Sequence, residues 1–579
     1  MSIEESRSVL DEFKTQQFVF QNFQLSSSIL NHFYECREKD LYTDVKIKVE
    51  DKIFSCHKIL LDAACPFFAS YFSFCKYQKD KDDMVVLNEV SAAAFGQLLN
   101  YIYTSELTIT SETVVDILHC ADFLHFKTIV KTCSGFLLQH MNYENCYKIH
   151  EIANRHRMKH LTLQAWNYIL QNFENLAQTE DFCKIPGNVL IKILSSDFLK
   201  VSEEKVLLAA VEKWISYDNE NRRAFLPELI KSIRLDNQMI MNVYPDVNLD
   251  SNFEKLEECS PRLKQVLVVI GRDTNQYNRD HTRYNILWYD PDYKRWEMLT
   301  SFPFDRRYLF AASVVDNKIF LTGGVGTDLP FDDPNRLVYN ECWEYNVRSS
   351  SWKESKPMKF SRFNHSSAGF LGCLYVVGGR GQQGKYFHAD GARYDLETDQ
   401  WTLIESLRGV QGVANSALVP LDGRLFLLGG MYSHKTVSKD LDINTYKESQ
   451  YYDPEDGLWH ELPALTRQID QNKLHINSLD CLSVDGFLVC VDDNQGKYVH
   501  TYNPVTKTTS KFIQCHGYHR YSGCAVFENK LILIGGIESR FQPHDMVHYF
   551  DFTNPSQGWT MMPPLPVAMS NLVCLTIFK

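Results

Sequence analysis

Four times in the second half of the chain, a β-rich run ends in two glycines, an aromatic-centred strand follows, and a tryptophan then opens another β-rich run. The copies are FLTGG with WEYNVRSSSW (Gly323, Gly324, Tyr345, Trp352), YVVGG with RYDLETDQW (Gly378, Gly379, Tyr394, Trp401), FLLGG with YYDPEDGLW (Gly429, Gly430, Tyr452, Trp459), and LILIGG with HYFDF and GW (Gly535, Gly536, Phe550, Trp559). A period of about 50 residues with this β pattern matches a four-stranded propeller blade and does not match helical solenoid repeats.

Two weaker copies raise the count to six. VLVVIGR with WYDPDYKRW keeps Gly271, Tyr289 and Trp296 but has Arg272 in place of the second glycine. FLVCVDD with TYNPVTKTT keeps Tyr502 and Pro504, but Asp492 and Asp493 replace the glycines and no tryptophan follows, so the fifth blade is degenerate. The chain closes with an extra strand, NLVCLTIF at Asn571 to Phe578, while the first copy at Val266 lacks the strand that precedes every other one. The two ends are therefore expected to share one blade and close the ring, which protects both edges. Glycines allow sharp turns and close backbone approach, and Tyr and Trp supply large apolar area, so the repeated residues read as scaffold.

Composition directs the search toward protein partners. A net charge of −12 and a pI near 5.9 argue against a surface built for nucleic acid. Sixteen cysteines occur without a C-x-x-C pair, and MSIEESRSVLDEF is acidic with no apolar core, so reduced thiols and a cytoplasmic or cytoskeletal location are expected. No apolar stretch approaches membrane-spanning length, and the lipidation motifs are absent, so no membrane partner is expected. No phosphate loop, nucleophile elbow or HExxH occurs, so an enzyme is not expected. Cys515, His516, His519 and Cys524 resemble a metal cluster in composition only. Cys524 lies inside the strand SGCAVF, whose spacing follows blade geometry, and neither a metal nor another cofactor is expected. Cys75, beside the charged run Lys76 to Asp83, is a candidate oxidant sensor, although a cysteine of this kind is more often inert.

The first half has another pattern. An amphipathic helix from about Ile29, strands at Val45 to Val49 and Ile53 to Cys56, and a helix with a face of Ile59, Leu60, Ala63 and Ala64 are expected. Leu41, Asp44-Val45, Phe54, His57-Lys58, Leu61, Pro66-Phe67-Phe68, VVLNEV, and AFGQLLNYIYTSEL from Ala94 to Leu107 together resemble a BTB domain, over residues 24–140. Residues 143–256 resemble the helical BACK domain through Asn145-Cys146, Asn172-Phe173, Leu194-Ser195-Ser196-Asp197, Val206, Ala209, Trp214, Arg222 and Leu226, with a polar linker at Asp246 to Pro261. With a six-bladed kelch propeller over 264–579, this order resembles the Kelch-like family: an α/β BTB domain, an all-α BACK domain and an all-β propeller.

That resemblance implies a non-catalytic adaptor of cullin-3 ubiquitin ligases, in which the BTB domain dimerises and holds the cullin and the propeller selects a protein substrate. It implies a homodimer interface at Ile29, Leu30 and Phe33, with Asp44 and Lys58 as a charge pair near the dimer groove. It places cullin contacts at Phe74, Lys76, Tyr77 and Tyr143. Many members carry a hydrophobic-x-Glu motif after the Tyr71-Phe72 position, whereas no glutamate occurs between Ser73 and Leu87 here. A dimeric, cullin-independent scaffold or cytoskeleton-associated kelch protein therefore stays open as the alternative.

Substrate recognition is expected on one rim of the propeller, where the loop after each glycine pair and the loop before each inner strand emerge together. Arg306, Arg307, Arg362, Arg408, Arg467 and Arg520 precede inner strands, Arg272, Arg380 and Arg540 follow glycine positions, and His365 and His519 sit beside them. Convergent guanidiniums in an acidic protein would attract an acidic or phosphorylated segment of the substrate.

Overall fold

The computed structural model describes residues 23–75, 84–235, 262–273, 284–304, 307–326, 329, 333, 335–382, 387–434, 442–445, 449–462, 479–484, 487–492, 498–504, 508–515, 522–537 and 543–579. The chain divides into two compact units, Met1–Trp166 and Asn167–Lys579.

The first unit is α/β. Strand Val45–Val49 is central, with Lys52–Cys56 antiparallel on one side and Met84–Leu87 parallel on the other. The parallel pairing requires a crossover, which the helices Lys58–Ala64 and Pro66–Cys75 supply. Helix Ala92–Thr104 starts at an N-cap: the Ser91 hydroxyl accepts the Ala94 N–H, and the Glu50 carboxylate accepts the Ala92 N–H at 3.1 Å. Ile47, Val49, Leu61, Phe68, Phe95, Leu98, Tyr103 and Leu118 form its core.

The helix at Lys58–Ala64 turns the other way from the expected face. Its buried residue is Leu61, continued by Cys65 and Phe68, whereas Ile59 is 68% exposed and Ala63 and Ala64 are also exposed. The helix has only seven residues and stops at Cys65, which adopts an extended conformation before Pro66. The core face thus runs at positions i, i+4 and i+7 across that break. The first helix, Phe23–Glu38, starts earlier than about Ile29.

In the second unit, helices Phe173–Gln178, Gly187–Leu194, Lys205–Ser216 and Leu226–Lys231 pack around Trp214, whose indole N–H donates to the Ile185 carbonyl at 2.8 Å. Arg222 lies 4.3 Å over that ring and donates to the Trp214 and Cys183 carbonyls. The expected linker at 246–261 lies outside the described residues.

Six four-stranded antiparallel sheets follow. Their innermost strands, Ala311–Val315, Ser366–Phe370, Ala417–Leu421, Leu479–Val484, Gly523–Phe527 and part of Met569–Phe578, line a common channel of about 460 Å³. The ring closes as the sequence suggests: Met569–Phe578 pairs antiparallel with Gln265–Asp273, and Lys264 and Lys579 exchange backbone hydrogen bonds at 2.9 Å. Asn317, in the next blade, latches the closure by donating to the Phe578 carbonyl and accepting its N–H. Phe198 packs edge-on against Phe578, which ties the helical part of this unit to the closing strand.

The repeated residues are structural. Gly378 has φ +68, and a Cβ there would come 2.3 Å from the Val413 carbonyl oxygen, so this position requires glycine. In five blades a tryptophan packs at a tilt against its cross-strand aromatic, as in Tyr345–Trp352 at 5.1 Å, and its indole N–H reaches the preceding blade. Trp352 donates to Ser301, Trp401 to Lys356, Trp459 to Glu405, Trp559 to Gln514 and Trp296 to Pro563, all to backbone carbonyls at 2.8–2.9 Å. The fifth blade, with Thr508 and Thr509 at that point, has no indole to form this tie.

Candidate functional site

In three blades the described residues show the segment before the inner strand and the segment after the glycine pair side by side. Arg307–Tyr308, ahead of an inner strand, pairs with Val325–Gly326, which follows the Gly323-Gly324 turn. One blade on, Phe363 bridges Arg380, and Arg380 bridges Phe387. In the next blade Val413–Ala414 pairs with Met431–His434, which pairs in turn with Asp442–Thr445.

The side chains divide into two groups. Arg307 and Arg362 are buried and point into their own blades. The Arg362 guanidinium donates to the Asp390 carboxylate at 2.7 Å and to the Gly378 carbonyl at 2.8 Å, and Arg362 is 1% exposed. Arg307 repeats the device one blade earlier: it donates to Glu341 at 2.7 Å and reaches the Gly323 carbonyl at 3.5 Å, sandwiched between the Tyr339 and Phe304 rings. An arginine before the inner strand thus closes onto the glycine turn and onto an acid just before the third strand. This corrects the expectation for both residues, since their guanidiniums are committed to holding the blade. The signal for it was in the sequence: an acid, Glu341 or Asp390, precedes CWEYN and GARYD.

Electrostatics fit that role. Burial alone would raise the Asp390 pKa, but the His388 hydrogen bond and the Arg362 guanidinium outweigh it and hold the carboxyl far below the usual range. Glu341 is lowered in the same way against burial, by Trp343 and Arg307.

Arg380 is different. It is nine-tenths buried, its guanidinium stacks 4.8 Å over Phe387, and its Nε has no partner among the described residues. Burial lowers its pKa, the sign of a cation whose desolvation is incompletely offset. Arg408 is exposed, with its backbone pinned by Gln450, which accepts its N–H and donates to its carbonyl. Arg336, which sequence reasoning missed, donates to the Gly326 carbonyl and lies 4.9 Å over Tyr308. The Arg272 backbone lies in the strand paired with Tyr284 and Ser570. Arg306, Arg467, His519, Arg520 and Arg540 lie outside the described residues, as do Lys76 and Tyr77.

His365 lines the channel and shares a 2.8 Å hydrogen bond with the Thr322 hydroxyl. Burial, together with the Arg362 and His388 charges, lowers its pKa well below the ordinary 6.5, so it is neutral in the fold. The unfolded chain then binds a proton that the folded chain refuses. This contribution is complete above pH 6.5 and is lost as pH falls below it, by about 1.4 kcal/mol per pH unit. Thermal melts should therefore drop between pH 7 and pH 5.5, and His365→Gln should flatten part of that drop.

In the first unit, Ile29 is exposed, Leu30 is half-buried, and Phe33 packs edge-on against His57 at 5.2 Å. Asp44 and Lys58 are both exposed in the single chain and do not form the expected side-chain pair. The Asp44 carboxylate instead accepts the Lys58 backbone N–H at 2.7 Å at the start of a helix, and the Lys58 ammonium lies 4.9 Å over the Phe72 ring. An unsatisfied helix N–H competes more effectively for a short Asp than a mobile ammonium does. Phe74, at the end of Pro66–Cys75, is 68% exposed, and Tyr143 is exposed as well.

Among the described residues, no helix is long and apolar enough to cross a membrane, and no group of three or more metal-binding side chains is present.

Comparison with known proteins agrees with this architecture. The chain matches the BTB/POZ domain over residues 33–141, the BTB And C-terminal Kelch domain over 146–244, and the Kelch motif over 361–408. It is 27% identical to Kelch-like protein 25 of Xenopus tropicalis over 462 residues, covering 75% of each chain. It is 26% identical to human Kelch-like protein 25 over 446 residues, covering 70% of this chain and 72% of the relative. To human Kelch-like protein 30 it is 28% identical over 375 residues, covering 61% and 64%. Domain order, blade architecture and relatives together make this chain a BTB-BACK-Kelch protein of the Kelch-like family.

Proposed function

We propose that the protein is a substrate-recruiting adaptor of a cullin-3 ubiquitin ligase, its BTB and BACK domains binding the cullin and its propeller mouth binding the substrate. The observation that carries this reading is the domain order itself, a BTB domain followed by BACK and a kelch propeller. The protein has no catalytic role in it: BTB-Kelch proteins are generally adaptors, and transfer chemistry belongs to the other ligase subunits. Exposed Phe74 and Tyr143 supply apolar surface for the cullin. At the mouth, Arg380 and Arg408 remain as the described cations for an acidic or phosphorylated segment, with salt-sensitive binding as the consequence.

Dimerisation accompanies this role. Leu25 and Ile29 on the first helix, with Leu41, Tyr42 and Ile59, are large apolar side chains left exposed in the single chain, the kind of surface that marks an interaction site. Light scattering is expected to give about twice the chain mass of 67.3 kDa. A monomer at micromolar concentration would remove the dimer from the account. Ile29→Asp should push the equilibrium toward monomer.

The second reading, a cullin-independent dimeric scaffold, is favoured by one observation, the absence of glutamate between Ser73 and Leu87. Affinity purification of the full chain separates the two: cullin-3 co-elutes with an adaptor and is missing from a scaffold's complexes.

A further inference from the structure

Cys481 and Cys490 face one another across the inner hairpin of the fifth blade, at directly opposed positions of Leu479–Val484 and Phe487–Asp492. Their sulfurs are 2.9 Å apart and both residues are only partly buried. Cys481 also lines the central channel, so a small oxidant can reach the pair from solvent. Opposed residues of an antiparallel ladder have Cα atoms about 4.5 or 5.5 Å apart, and both distances fall inside the range a disulfide spans. No backbone rearrangement is needed to join them.

The location gives such a bond something to do. This blade has Asp492 and Asp493 where four blades have a glycine pair, and no tryptophan of its own to reach the preceding blade, although Trp559 of the sixth blade donates to its Gln514. A cross-strand bond would fix the inner hairpin at the channel wall of the blade with the fewest repeat-encoded ties.

We infer that Cys481 and Cys490 form a thiol modification site that closes reversibly to a disulfide under peroxide. One sulfur, as thiolate, takes the terminal oxygen of hydrogen peroxide to become a sulfenic acid, and the displaced hydroxide leaves as water after protonation. The second thiolate attacks that sulfur, the S–O bond breaks, and a second water departs. In sum, two thiols and one peroxide become one disulfide and two waters; a small dithiol reverses the step by exchange.

The sequence makes the test direct. Trypsin releases both cysteines on one peptide, Leu474 to Lys497, because no Lys or Arg lies between these cut sites. The folded full-length chain is treated with hydrogen peroxide, alkylated with iodoacetamide and digested without reduction. The expected peptide is lighter by two hydrogens, carries no alkyl group, and regains two alkylation sites after dithiothreitol. Cys490→Ser should leave a sulfenic acid on Cys481 that dimedone traps, whereas the parent chain shows no such adduct. Hydrogen exchange of the Leu479–Asp492 hairpin should slow about tenfold on oxidation. The inference is overturned if the peptide keeps two alkylatable thiols, if either cysteine is found bonded to a different peptide, or if the parent traps dimedone as readily as Cys490→Ser.

Discussion

Arg362→Ala is expected to destabilise the propeller by about 3 kcal/mol, the lower end of the range for breaking one side of a buried pair. The guanidinium is almost wholly buried and holds both the Gly378 carbonyl and the Asp390 carboxylate, so alanine strands two acceptors beside the glycine turn of its blade. Asp390 retains some water contact, which keeps the cost from rising higher. With an unfolding entropy of about 2.1 cal/mol/K per residue over 264–579, the melting temperature should fall by about 4–5 °C, as read by circular dichroism. Arg362→Lys keeps the charge but cannot serve both acceptors at once, and should fall between parent and alanine. A melt within a degree of the parent would show that the pair is not structural. The pH dependence follows from Asp390, whose depressed carboxyl contributes stability that is full above its ordinary value of 3.8 and is lost as pH falls toward the folded value. One practical consequence is that lost substrate binding in Arg362→Ala cannot be attributed to recognition. Arg408→Ala, at an exposed side chain, can be.

Ending the chain after Met562 should abolish the folded propeller. Met569, Leu572 and Ile577 on the closing strand are buried, and they pack into the cores on both faces of the first blade. Each such loss is worth about 2–5 kcal/mol, so three approach the 5–15 kcal/mol that typically separates a folded domain from its unfolded state. The strand Gln265–Asp273 would also be left as a bare edge. Limited proteolysis should convert the resistant propeller of the parent into rapidly cut fragments, while the Met1–Trp166 unit keeps its resistance. A truncated chain with parent-like resistance from residue 262 onward would show that ring closure is dispensable.

What the sequence made legible was the repetition. Glycine pairs, aromatic pairs, an extra strand at the end of the chain and a missing one in the first copy were enough to give the blade count and the shared blade, because each has a local backbone cause. What it concealed was direction. The helix after His57 has apolar residues all round, so periodicity alone could not say that Leu61 rather than Ile59 faces the sheet; the break before Pro66 decided that. The arginines posed a harder version of the same problem. Arg362, four residues before its inner strand, closes onto the Asp390 carboxylate, whereas Arg408 stands nine residues before Ala417–Leu421 and is held only through its backbone by Gln450, its side chain staying exposed. Charge at the rim was visible in the sequence, but its partition between scaffold and free cation depended on a partner about 30–40 residues away in the same blade.

If the BTB and BACK domains engage cullin-3, the purified full-length chain should bind purified cullin-3 directly. Saturable binding is expected, weaker than that of a family member carrying the hydrophobic-x-Glu motif. Phe74→Asp, which places a charge on exposed apolar surface, should cost about tenfold or more, with the melting temperature unchanged. No detectable association, alongside a family member that binds under the same conditions, would contradict the adaptor reading and leave the dimeric scaffold.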